Sequence, residues 1–236
     1  MLTNIVKFVG VKILLLLSHP RPGSFNHALA ANALRSLGAA GHQVMFHDLY
    51  AEDFHPVLTG NEFSQLFSLD ERIQLYTTEL LEAQGMVVFH PDWWGQPPAI
   101  LKGWLDRVLR QGVAYELEGE DMADRRWKPL LGHKKGLVFC TSDATPKDLP
   151  PTLEALWTHA ILGRCGMRSA CHVLRGVRTA DPIERREWMG FVTRTLLEWF
   201  PSELDKTGAA TMSAGGHGKC SCQTQLWQVI ESDVGG

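Results

Sequence analysis

Phe89-His90-Pro91-Asp92-Trp93-Trp94-Gly95-Gln96-Pro97-Pro98-Ala99-Ile100-Leu101-Lys102-Gly103-Trp104 falls into three pieces. Gly85 to His90 is an apolar strand that stops at Pro91, and two tryptophans and Gly95 form a loop. Pro97 and Pro98 then open a helix on which Ile100, Leu101, Trp104, Leu105, Val108 and Leu109 make a wide apolar stripe. A loop of this kind offers backbone groups and aromatic faces to a flat ligand.

On either side, strand-like and helical runs alternate. Strands are predicted over Lys12 to Ser18, Gln43 to Asp48, Gly136 to Thr141 and Ser169 to Arg175. Helical spacing joins Ala30, Ala33, Leu34 and Leu37, a helix expected to end before Gly38 and Gly41. The same spacing joins Ile73, Tyr76, Leu80 and Leu81, then Leu153, Leu156, Trp157 and Ala160, and finally Trp188, Phe191, Val192, Leu196 and Trp199. Five strands with intervening helices predict an α/β three-layer fold: a parallel sheet of order 2-1-3-4-5 covered on both faces. Residues 1–200 read as one domain, and residues 201–236 as an irregular tail in which Leu226 to Ile230 has some capacity to dock.

The 236 residues are 44% hydrophobic, enough for a sizeable core. With 23 basic against 26 acidic residues, a formal charge of -3 provides no field for nucleic acid or an anionic membrane. Ile13 to Leu17 is too short for a signal peptide, and no apolar run approaches the roughly 18 residues of a membrane span, so no membrane insertion is expected. Five cysteines, an odd number in so long a chain, point to a reducing compartment, with cytoplasm as the default. Cys140, Cys165 and Cys171 are expected to be buried. His217, Cys220 and Cys222 are only three ligand-type groups, without a zinc spacing, so no metal site is expected.

In a doubly wound sheet, ligands bind beyond the carboxyl ends of the strands where strand order reverses. Here that crevice lies between the ends of the first and third strands, which carry the two richest loops. The first, Ser18 to His27, leads into a helix start with Ser24 and Asn26 beside it, a seat suited to phosphate. Ser24 or Asn26 acting only as a helix cap, and His19 as an ordinary strand-end histidine, are the plainer alternatives. The second is the Trp-Trp-Gly loop. Its tryptophans read either as core or as the apolar cover of a flavin ring whose pyrimidine edge needs hydrogen bonds.

The His-x-x-x-x-Ser-Phe-Asn turn, the Trp-Trp-Gly-x-Pro-Pro-Ala-Ile-Leu-Lys-Gly-Trp run, Arg107 and Gly112-Val113-Ala114-Tyr115 together resemble the NAD(P)H:quinone oxidoreductase family of flavodoxin-like proteins. The potassium-efflux ancillary flavoproteins of the same superfamily are similar too. The resemblance implies that His19, Ser24, Phe25 and Asn26 hold the flavin phosphate and ribityl chain, and that Pro91, Asp92, Trp93, Trp94 and Gly95 line the isoalloxazine. It places a third flavin loop after the fourth strand, where many members read Thr-Thr-Gly-Gly. This chain has Thr141-Ser142-Asp143-Ala144-Thr145-Pro146 instead, so side chains stand where glycines would let backbone approach the ring.

The implied mechanism is ping-pong hydride transfer from NAD(P)H through flavin to a quinone, within a homodimer. FMN is favoured over FAD because no second motif is dedicated to adenosine. Tyr115 matches a substrate-contacting tyrosine of the family, and His159 is the nearest stand-in for its proton-passing histidine; each reads equally as ordinary packing. Arg125, Arg126 and Lys128 read as an NADPH phosphate contact or as a solvated charged loop. The resemblance also admits azo or nitro reduction, or a regulatory flavoprotein bound to a transporter. The mild charge argues against a flavodoxin-type carrier.

Overall fold

The computed structural model describes residues 10–65, 67–119, 124–144 and 152–202, all within the unit Met1–Glu203. Thr145 and Pro146 of the third loop, and the tail with Leu226 to Ile230, His217, Cys220 and Cys222, lie outside the described residues.

The sheet is built from β1 (Lys12–Leu17), β2 (Gln43–Asp48), β3 (Gly85–Pro91), β6 (Lys135–Ser142) and β7 (Arg168–Arg175). Its order is β2-β1-β3-β6-β7, with every pair parallel. This is the expected 2-1-3-4-5 once a small hairpin, β4 (Tyr115–Glu118) with β5 (Arg126–Pro129), is counted apart. The three inner strands are almost wholly buried, whereas β2 and β7 at the edges are half-exposed.

The period-two rule explains how one leucine-rich strand feeds two cores. Ile13, Leu15 and Leu17 point to the side covered by α1 (Phe25–Ala39) and α6 (Pro182–Trp199), where they meet Leu29, Ala33, Val192 and Leu196. Leu14 and Leu16 point to the other side, against α3 (Glu71–Glu82) and α4 (Ala99–Val108), which contribute Ile73, Tyr76, Leu101 and Trp104. Both faces are therefore closed. The charged or polar ends of the strands are left to form the site.

Four details differ from the sequence reading. Helix α1 runs through Gly38 and ends at Ala39, because the left-handed residue that turns the chain is Gly41, at φ 83°. A short helix, α2 (Gly60–Gln65), has no buried residue and so left no apolar period to read. Leu153 to Ala160 is not one regular helix: α5 (Thr152–Ala155) opens into a π-helical turn at Leu156–Ile161. Four apolar positions over so short a span do not separate a 3.6-residue turn from a wider one. Cys140 and Cys165 are buried, but Cys171, on the edge strand β7, is only half-buried.

Gly103 marks where α4 comes closest to a neighbouring backbone. A Cβ there would sit 2.1 Å from the Pro56 carbonyl oxygen and 2.4 Å from Pro56 Cβ. Gly103→Ala is accordingly expected to lower stability by about 1–3 kcal/mol, the usual penalty of overpacking. Urea unfolding checks it; a midpoint equal to that of the parent chain would refute the close approach. Among the described residues no helix is long and apolar enough to cross a membrane.

Candidate functional site

The carboxyl ends of β1, β3 and β6 carry three loops around one cleft of about 660 Å³. The first loop turns at Gly23, where φ is 70°, and enters α1 through Ser24, whose extended backbone and hydroxyl cap the helix. Ser24 Oγ accepts the His27 amide at 3.4 Å. The first-turn amides of α1 have no intrahelical acceptor by geometry, and the dipole adds partial positive charge there.

The second loop is a two-residue primed turn. Trp93 and Gln96 exchange backbone hydrogen bonds at 3.0 and 3.1 Å, with Trp94 at φ 59° and Gly95 at φ 72° between them. The Asp92 carboxylate fixes it: Oδ1 accepts the Gly95 amide at 2.8 Å, and Oδ2 accepts the Ser142 hydroxyl at 2.7 Å. The Asp92 amide donates to the Thr141 carbonyl at 2.7 Å. Loops two and three are thus tied together.

Loop one is tied to loop three as well, since Asn26 Nδ2 donates to Thr141 Oγ1 at 2.7 Å in a buried contact. Asn26 Oδ1 is buried and has no partner among the described residues, although Asn26 lines the cleft. Asp143 turns to Arg178, accepting its backbone amide at 2.9 Å and its guanidinium at 3.0 Å. The Asp143 side chain is therefore engaged with the segment after β7.

Beneath the second loop, His90 is fully buried. Trp157 Nε1–H donates to His90 Nε2 at 3.0 Å, so Nδ1 carries the hydrogen and donates to the Pro91 carbonyl at 2.8 Å. Burial pushes this imidazole down to about 4, so it stays neutral and holds Pro91 in place. Burial also lowers His19 below its ordinary value.

The cleft brings together His19, Ser24, Phe25, Asn26, Pro91, Asp92, Trp93, Thr141, Ser142 and Asp143. Trp94, Gly95 and Ala144 belong to the same loops without lining it, and Trp94 is fully exposed. Tyr115 and His159 lie elsewhere in the chain. Tyr115 stacks on Trp127 at 3.6 Å, and His159 is an exposed residue bonded to Thr158. Arg125, Arg126 and Lys128 are exposed, and Lys128 pairs with Glu118.

Sequence reasoning missed Arg21, Arg178 and Arg185, which give the mouth of the cleft its positive charge. Arg21 lies within the first loop, Ser18 to His27. The other two follow β7 on a stretch without a motif. Among the described residues no cluster of His, Cys, Asp and Glu is arranged to hold a metal ion.

A family model described as having the flavodoxin-like fold matches residues 11–187. Rat ribosyldihydronicotinamide dehydrogenase [quinone] is 36% identical over 129 residues, covering 47% of this chain and 56% of the rat protein. The chain thus spans about half the length of the curated relatives it matches. An NAD(P)H:quinone oxidoreductase from Methanothermobacter marburgensis superposes with a TM-score of 0.66 at 24% identity, over 79% of this chain and 96% of that one. An FMN-dependent NADH-azoreductase from Bacillus anthracis, solved with FMN, gives 0.63 at 16% identity over 80% and 99%. These two structural likenesses concern the fold.

Proposed function

We infer, from the fact that the chain belongs to the Flavodoxin_2 family of flavodoxin-like fold, that it is a flavin-dependent NAD(P)H:quinone oxidoreductase. The single observation that carries the flavin in this reading is Asn26 Oδ1, a buried acceptor without a partner among the described residues, in a cleft that begins at a capped helix start. An orphaned buried acceptor is costly unless a ligand donates to it, and a ribityl hydroxyl is such a donor.

The residues present fit a flavin mononucleotide. Ser24 and the first amides of α1 hold its phosphate, in the positive field of Arg21, Arg178 and Arg185. Pro91, Asp92 and Trp93 form the wall for the ring, and Trp94 and Gly95 make the turn that carries it, with the exposed Trp94 ring free to meet the flavin from outside the cleft. Neutral His90 below, and the Asp92 bonds to Gly95 and Ser142, keep that wall from moving. Thr141, Ser142 and Asp143 close the third side, with Asp143 held on Arg178 and Ala144 next in the same loop. When bound, the flavin supplies two-electron hydride chemistry between NAD(P)H and an acceptor.

The name of a rat relative, NAD(P)H dehydrogenase [quinone] 1, supports NAD(P)H as donor and a quinone as acceptor, whereas ribosyldihydronicotinamide dehydrogenase [quinone] shares the acceptor and names another donor. The FMN-bound neighbour supports FMN over FAD. Azo reduction is the second reading, favoured by that same neighbour. A homodimer accords with the large exposed apolar side chains Phe63, Phe67, Leu69 and Trp94.

The test is to purify the protein, record its visible spectrum, and follow NADH and NADPH oxidation with and without menadione or methyl red. A yellow protein with menadione-dependent oxidation is expected. A colourless protein that takes up neither FMN nor FAD would overturn the reading, and turnover with methyl red alone would move it to azo reduction. Asn26→Ala is expected to weaken FMN binding at least about tenfold, the worth of a buried hydrogen bond, in a fluorescence titration.

A further inference from the structure

Behind the start of α1, three side chains form a hydrogen-bonded chain that hydride transfer does not use. Ser24 Oγ lies 2.8 Å from His27 Nδ1, and His27 Nε2 lies 3.1 Å from Asp48 Oδ2. The other Asp48 oxygen accepts the Tyr50 and Ala51 amides at 3.1 and 3.2 Å, which fixes the carboxylate at the end of β2.

The direction of each bond follows from donor inventory. A carboxylate only accepts, so the hydrogen between His27 and Asp48 sits on Nε2. Neutral His27 then has a lone pair at Nδ1, and the hydrogen of the 2.8 Å contact comes from the Ser24 hydroxyl. A hydroxyl has one hydrogen. In this state Ser24, although it lines the cleft, turns only lone pairs toward an anion.

We propose that the Ser24–His27–Asp48 chain couples phosphate binding to proton uptake. One proton from solvent adds to His27 Nδ1 and is donated to Ser24 Oγ; Ser24 then turns its own hydrogen onto a phosphate oxygen. Nothing is released, and the site gains one positive charge together with one charge-assisted donor. Asp48 holds the imidazolium from its far side. His27 is 23% exposed, so solvent reaches it.

Among the described residues, several groups bear on this charge. Asp48 favours it. The His19 ring, 6.2 Å away, is made harder to charge by burial, and Arg21 opposes added positive charge nearby. Around the same cleft, Arg178 and Arg185 also oppose it, whereas Asp92 and Asp143 favour it. Asp143 is partly spent on Arg178. The bound phosphate dianion tips the balance, and in doing so draws the proton in.

This inference rests on the α1 start being the phosphate seat of a flavin. Calorimetric titration of the full chain with FMN at pH 7.5, in buffers of different ionisation heat, counts protons directly. About one proton taken up per FMN is expected, and none with riboflavin, which has the ring without the phosphate. His27→Gln is expected to abolish uptake and to weaken FMN binding about tenfold, while riboflavin binding stays as it was. Asp48→Asn, which leaves no carboxylate to hold the imidazolium, is expected to abolish uptake as well.

No uptake by the parent chain, or equal uptake in His27→Gln, would overturn the coupling. If the parent chain binds no FMN, the flavin reading fails on its own, and inorganic phosphate then tests the chain separately. Added phosphate should raise the midpoint at which the His27 ring resonance titrates; an unmoved midpoint overturns the coupling.

Discussion

Arg107→Met is expected to lower unfolding free energy by about 1–3 kcal/mol, because it leaves the half-buried Glu62 carboxylate without its cation. Arg107 is 4% exposed and reaches out from α4 to the segment that carries α2. Nη2 donates to Glu62 at 2.8 Å and to Asp70 at 2.9 Å, Nε donates to both Glu62 oxygens at 3.2 and 3.3 Å, and Nη1 donates to the His55 carbonyl at 2.7 Å. Since α2 has no buried residue of its own, these bonds and the Ser68 contact to Glu62 are what fasten it.

Removing the guanidinium leaves the half-buried Glu62 with only its bonds from Ser68 and Thr59. Replacing both partners with apolar residues, Arg107→Met with Glu62→Leu, is expected to restore much of the loss, which separates an unpaired charge from simple loss of packing. Burial by itself would raise Glu62, but hydrogen bonds from Arg107, Ser68 and Thr59 outweigh it and bring the carboxyl to about 2 from an ordinary 4.5. A depressed carboxylate stabilises the fold fully above 4.5 and ceases to do so as pH falls toward 2. Urea midpoints measured from pH 6 down to pH 2 should therefore drop in the parent chain and stay flatter in the double variant. Equal acid slopes in the two proteins would contradict this account.

The sheet and its crevice were legible because they follow from strong local patterns. A run such as Ile13 to Leu17 has one cheap solution, a strand buried on both faces, and the Pro97-Pro98 pair permits a helix to start only after it. The first and second loops around the cleft could be placed for the same reason, since each sits at the end of such a strand, whereas the third was placed by the family resemblance. What escaped depended on pairs distant in sequence. The Arg107–Glu62 bond spans 45 residues, and Asn26–Thr141 spans 115. Arg185 reaches the cleft from the helix after β7. The His27 role required knowing that β2 ends with Asp48 beside the first turn of α1. The hairpin β4–β5 was hidden by its own composition, with charged residues on half of its positions and a Tyr115–Trp127 stack that only pairing reveals.

Trp94→Gly is expected to make the protein more stable and less able to keep its flavin. Trp94 sits at φ 59°, in the left-handed region that costs an L-residue about 1–2 kcal/mol and that glycine occupies freely. Its side chain is fully exposed, so no burial in this chain repays that cost. A large aromatic group held out in solvent on a strained backbone is the kind of outlier expected where a ligand or a partner surface meets it. Glycine relieves the strain at the price of some unfolded-state entropy, leaving a net gain of about 0.5–1 kcal/mol in urea unfolding of the flavin-free protein. Alanine removes the ring without relieving the backbone, so Trp94→Ala should gain nothing in stability. On the proposed function both substitutions raise the FMN dissociation constant by about tenfold, through loss of aromatic cover. The two measurements separate the two claims. Unchanged FMN affinity in both variants would remove Trp94 from the flavin wall and leave a partner surface as the reason for its exposure, whereas a destabilised Trp94→Gly would mean that the primed turn draws its stability from the tryptophan itself.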